Sequence, residues 1–243
     1  MYENLRRFTY EETDFTLLLT VAMLFSTMTT AYASSGGGVK PRGVFDVSLV
    51  ILSYEHSGSS SAGGYLHFGH SCILVFNYSS YSIWVGNVEV SPGEYVSVGL
   101  FDKVATPNHE GVWYNIEGFL INNVKSVRYA AAACDITESG LNSLNSYIRT
   151  NDYYYLRTHN CATFAQACWD AVAPATYQFF RNFDSYATTP EGLIGNINIM
   201  GLPTPALPSP KSEDSVGYYG ASGFVKDPSP VQKNGRIYQL LVA

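Results

Sequence analysis

Charge is scarce in this chain: Asp, Glu, Lys and Arg make up 14% of its 243 residues, and the formal balance is −6. With no positive surplus there is nothing to hold a nucleic-acid polyanion, so that class of partner is excluded. Metal-ligand spacing is also missing. Cys161 and Cys168 stand too far apart for a short cysteine clip, and no His-x3-His pair occurs, so neither a metal nor a cofactor is expected. Gly58 to Gly64 lacks the Lys-Ser/Thr that a phosphate-cradling loop needs. No internal repeat is visible. The apolar run Leu17 to Phe25 falls short of the roughly 20 residues that cross a bilayer, so no stable span is expected.

That run instead reads as the core of an export signal. Arg6 and Arg7 precede it, and Ala31-Tyr32-Ala33 follows as a small-x-small cleavage pattern, which places the mature start at Ser34. Residues 1–33 carry two basic and four acidic residues, leaving 12 against 16 and a mature charge of −4. The expected location is secreted or extracytoplasmic. Four cysteines in such a setting first suggest two disulfides.

Nineteen Tyr, thirteen Phe and three Trp describe a chain rich in strands. Strands are expected over 45–53, 65–77, 81–90, 94–101, 111–120 and 124–133, with the second and third joined as a hairpin about Ser79-Ser80. The period then changes. Leu141, Leu144 and Ile148 recur at helical spacing after the N-cap Thr137. Asn160 caps a second helix whose apolar stripe is Cys161, Phe164, Ala165, Cys168 and Val172, ended by Pro174, and Thr189-Pro190 opens a third. The fold class is α+β, an antiparallel sheet packed against a few helices. The domain spans 45–200, and 201–243 is a Pro-rich tail with a terminal strand at 236–242.

A nucleophilic cysteine must ionise near neutral pH, and a helix N-terminus favours its thiolate. Cys161 occupies such a place. A histidine distant in sequence must supply the base, and His70, at the start of a buried strand between Gly69 and Ser71, fits best. His56 and His109 lie in surface turns, His159 has no rigid strand to fix its ring, and His67 has the opposite parity to His70 on one strand. Cys161 and Cys168 lie about 10 Å apart along one helix, beyond a disulfide's reach. If Cys161 is the nucleophile, at least two thiols stay free.

Gly69-His70-Ser71 before an apolar strand, then Asn160-Cys161-Ala162-Thr163-Phe164-Ala165 with Trp169 downstream, resembles the permuted papain-like hydrolases, relatives of the NlpC-type cell-wall peptidases in which histidine precedes cysteine. Thr189-Pro190-x-x-Leu193 is similar to a segment of several such proteins. The resemblance covers roughly 45–200. It implies a circularly permuted papain-like fold, Cys161 as nucleophile, His70 as base, and a third polar group orienting the imidazole. The expected hairpin turn puts His70 opposite residue 89 on a face with Asn87 and Glu89, which makes Asn87 the choice for that group, with Asn115 and Glu117 as rivals. The implied activity is a secreted thiol hydrolase, a cysteine peptidase or amidase acting on a peptide or peptidoglycan-like substrate. The alternative is a non-catalytic exported domain that binds carbohydrate or protein through its aromatic face. Related folds also support acyl transfer.

Overall fold

Strand β1 (Val47–His56) buries side chains on both of its faces: Leu49 and Ile51 enter one core, Val50 and Leu52 the other. A strand apolar on both faces must be central, with layers above and below. The computed structural model bears this out and describes residues 45–56, 69–103, 105–123 and 126–229, which fall within one unit, Arg42–Ala243. The signal-like segment 1–33, His67 and the strand expected at 236–242 lie outside the described residues.

Seven antiparallel strands form one sheet in the order β7-β1-β2-β5-β6-β8-β9. They are β2 (His70–Asn77), β5 (Tyr95–Phe101), β6 (Gly111–Tyr114), β7 (Ser126–Ile136), β8 (Gly217–Gly220) and β9 (Gly223–Lys226). β3 (Ile83–Val85) and β4 (Val88–Val90) pair only with each other. The protein is thus α+β, with a large antiparallel sheet and a few helices. On one face, α1 (Ile116–Asn123) packs Ile116, Phe119 and Leu120 against Val50, Leu52, Leu74 and Trp113. The other face carries α2 (Glu138–Thr150), α3 (Cys161–Asp170) and α5 (Pro190–Met200), with the short α4 (Phe179–Phe183) beside α3.

The helix starts match their sequence signals. Thr137 Oγ1 accepts from Gly140 N at 3.0 Å, and Thr189 Oγ1 from Gly192 N at 3.1 Å with Pro190 at the first turn. Leu141, Leu144 and Ile148 are buried, as their spacing requires. Helix α3 closes at Asp170, before Pro174.

Three sheet expectations are corrected. First, β2 does not form a hairpin with 81–90. It lies between β1 and β5, with Cys72 opposite Gly99 and Phe76 opposite Tyr95. Asn77 enforces this by closing the base of the 78–93 excursion: its Nδ2 donates to the carbonyls of Tyr81 (2.8 Å) and Val90 (2.9 Å), and its Oδ1 accepts from Ser79 N. The excursion folds back on itself about Gly86-Asn87. Second, 111–120 is not one strand. β6 stops at Tyr114, Asn115 adopts a left-handed φ of 59°, and a helix begins at Ile116. Asparagine is one of the few residues besides glycine that visit that conformation readily. Here Asn115 Oδ1 accepts from Ser97 N and its Nδ2 donates to Ser215 O. Third, the strand expected over 124–133 as the close of a meander-like sheet is β7, which pairs instead with β1.

Residues 207–216 cross the α1 face, and β8 joins the sheet beside β6. Among the described residues no helix is long and apolar enough to cross a membrane.

Candidate active site

Asn160 builds the end of α3 that carries Cys161. Its Oδ1 accepts from Ala162 N (3.0 Å) and Thr163 N (3.1 Å), while Thr163 Oγ1 accepts from Asn160 N (2.9 Å), a reciprocal capping box. Neither acceptor takes the Cys161 N–H, the group suited to receive an oxyanion. The Asn160 amide also donates to Leu156 O and Thr188 O, both at 2.8 Å, tying the loops on either side to the helix mouth. Cys161 itself is half-buried.

His70 is the first residue of β2 and follows Gly69, whose φ of 79° turns the chain into the strand. Its ring stacks on Phe101 with centroids 4.1 Å apart and meets Tyr54 edge-on at 5.9 Å. Beneath the ring lies Gly99, where a Cβ would come within 2.7 Å of Nε2, so this position of β5 accommodates no side chain while the ring lies there. The strand end lets two layers reach one imidazole. The Cys161 side chain of α3 lies within hydrogen-bonding reach, and Glu117 of α1 puts Oε1 3.0 Å from Nε2.

The Nε2 and Oε1 atoms meet off the line of a well-formed hydrogen bond, so charge joins them more than alignment does. Both side chains are almost wholly buried, at 4% and 6% exposure, which makes their charges interact strongly. Glu117 Oε2 also accepts from Ser97 Oγ at 2.9 Å, and the Cys72 thiol bonds the same carboxylate. Burial works against the His70 imidazolium, yet the Glu117 charge and the contact with Cys161 outweigh it and raise its pKa to about 9. Burial likewise disfavours the Glu117 carboxylate, but the charge and close approach of His70 and the bonds from Cys72 and Ser97 hold its pKa below the ordinary value. Thiol, imidazole and carboxylate therefore lie in one chain along which a proton can be accepted and returned.

The structure brings Cys161 and His70 together and leaves Asn87 elsewhere. Asn87 sits in the β3–β4 turn, where its backbone N–H meets Tyr114 Oη at 3.2 Å, because the register that placed it beside His70 does not form. Its expected place beside the imidazole is filled by Glu117. Sequence reasoning named Glu117 only as a rival and missed Ser97, Cys72, Gly99 and Phe101. Ile116, Phe119 and Leu120, spaced i, i+3, i+4, were the available sign that 116–120 is a helix presenting Glu117 inward. His159 stacks on Tyr153 and faces Asn151 O, and His109 is partly buried against Tyr218 and Asp152 rather than a solvated turn residue. All four cysteines are free. Cys72 and Cys134 flank β1 three register steps apart, opposite Leu52 and Leu49 respectively. Among the described residues no group of three His, Cys, Asp or Glu is placed to hold a metal ion.

Compared with known protein families, characterised proteins and solved structures, the chain matches none.

Proposed function

We propose that the protein is a thiol hydrolase that cleaves an amide or peptide bond through an acyl-enzyme on Cys161. The observation that carries this reading is the buried contact of His70 with both Cys161 and Glu117. The Cys161 thiolate attacks the carbonyl carbon, and the oxyanion forms at the Cys161 N–H. His70, held as imidazolium by Glu117, gives its proton to the leaving amine as the C–N bond breaks. Water then attacks the thioester, His70 takes the proton, and the acid leaves with Cys161 restored. Histidine on a strand that precedes the cysteine helix is the chain order of a circularly permuted papain-like scaffold, the fold assigned in this reading. Glu117 takes the orienting role first given to Asn87.

The substrate class proposed is a peptide of the cell-wall type, met by an exported enzyme. Tyr153, Tyr155 and Leu156, exposed on the loop leading to Cys161, supply an apolar lip for such a chain. Cys161→Ala and His70→Ala should each abolish release of amine from stem-peptide substrates while circular dichroism stays unchanged. Retained turnover in either variant refutes the reading. The alternative of a purely binding domain requires an unreactive Cys161, so iodoacetamide labelling across pH separates the two.

A further inference from the structure

The carboxylate that faces His70 has a second side, and the C-terminal segment covers it. Residues 207–216 run across the α1 face and enclose a small cavity in which Leu207, Pro208 and Lys211 face Ser97 and Glu117. The fit is close: a Cβ on Gly118, the residue after Glu117, would lie 2.3 Å from the Lys211 carbonyl oxygen. Tyr95 Oη donates to Ser209 O at 2.7 Å, and the Lys211 ammonium lies 4.6 Å above the Tyr95 ring while pairing with Glu94. Further along, Ser215 O accepts from Asn115 at the bend that launches α1, and Val216 is fully buried. These contacts fall on Glu117's own helix, on the bend before it, or on the strand that carries Ser97, with Glu94 at its foot.

We propose that this strap is part of the catalytic apparatus: by sealing the outer side of Glu117 it keeps water from the Glu117–His70 pair and so holds the imidazole charged and aimed at Cys161. The inference rests on the thiol-hydrolase reading and extends it. A charge pair weakens steeply when water raises the local dielectric, so an opened strap lowers the hold of Glu117 on His70 without removing any catalytic group. The ionisable groups around Glu117 are His70 and Cys72 of β2, Tyr54 of β1, Tyr95 of β5, Cys161 beyond the imidazole, and Lys211 of the strap, whose charge Glu94 balances. Within the strap contact, Tyr95 and Lys211 are positioning residues, since neither touches the reacting atoms.

The test uses the full chain carrying Tyr95→Phe with Lys211→Met, and separately Gly118→Ala, which wedges the strap from beneath. The His70 ring is titrated by NMR, and Cys161 alkylation by iodoacetamide is followed across pH. In both variants the His70 midpoint should fall by about one pH unit or more, and the imidazolium-dependent part of the alkylation profile should move down the pH scale with it. Asn108→Ala, which breaks the exposed bond from Asn108 to Asp227 beyond β9, should leave both profiles on the wild type. If neither strap variant moves the His70 midpoint while wild-type Cys161 reacts well below the free-thiol range, the strap inference is overturned and the hydrolase reading stands. If wild-type Cys161 reacts only as a free thiol does, both fall.

Discussion

Replacing Glu117 with Gln keeps the size of the side chain and its contact with Ser97 but removes the charge that faces His70. Of the influences that raise the imidazole's pKa to about 9, the Glu117 charge is the largest, while burial opposes them all. The interval from an ordinary histidine to this value amounts to about 3 kcal/mol for a fully buried ring. With Gln present, burial is opposed only by Cys161, so the His70 midpoint should fall by about two pH units or more. The thiolate depends on that imidazolium, whose share at pH 8 falls from roughly nine-tenths to roughly one-tenth, so kcat/KM at pH 8 should drop about tenfold. Stability carries the same signature. A raised folded-state pKa means the His70 contribution is complete below about pH 6.5 and disappears as pH rises toward 9. The lowered pKa of Glu117 means its contribution is present above the ordinary carboxylate range and is lost as pH falls through it. Wild-type stability should therefore be greatest near pH 5 to 6, roughly, and Glu117→Gln should flatten the alkaline decline. Alkylation of Cys161 between pH 4 and 10, with urea unfolding at matching pH, measures both effects. A Glu117→Gln protein whose alkylation profile overlays the wild type would refute the reasoning, because the charge would then have no hold on the imidazole.

Gly99→Ala should push the His70 ring off β5, since the new Cβ meets Nε2 at 2.7 Å and the Cys72 Cβ at 3.3 Å; about 1–3 kcal/mol of stability and most of the alkylation at pH 6 should be lost, read by thermal melts and labelling. Asn160→Ala removes two helix-capping bonds and two loop ties, and should cost about 1–2 kcal/mol in urea unfolding while slowing turnover through a misplaced Cys161. Asn87→Ala should leave kcat/KM within twofold of wild type in a peptide-release assay, whereas an effect as large as that of Glu117→Gln would return Asn87 to the site.

The chain order itself determined a good deal. The capping of α2, α3 and α5 was legible because Thr137, Asn160 and Thr189 act within three residues of themselves, and the burial of Leu141, Leu144 and Ile148 follows from helical spacing alone. The thiol at a helix mouth could be read the same way, from Asn160-Cys161. Choosing His70 also drew on local cues, the small neighbours Gly69 and Ser71 and a strand start. What the chain could not disclose locally was which strand lies beside which. Asn77 closes off the 78–93 excursion and delivers β5 to β2, and that pairing places Gly99 beneath the ring and Ser97 beside the carboxylate. Asn115 turns a strand into a helix through one left-handed residue stabilised by partners 18 and 100 positions away, and only then does Glu117 face inward. Such contacts depend on closing long loops whose ends carry no local mark of one another, so the identity of the imidazole's partner belonged to the tertiary structure, while the helix ends belonged to the sequence.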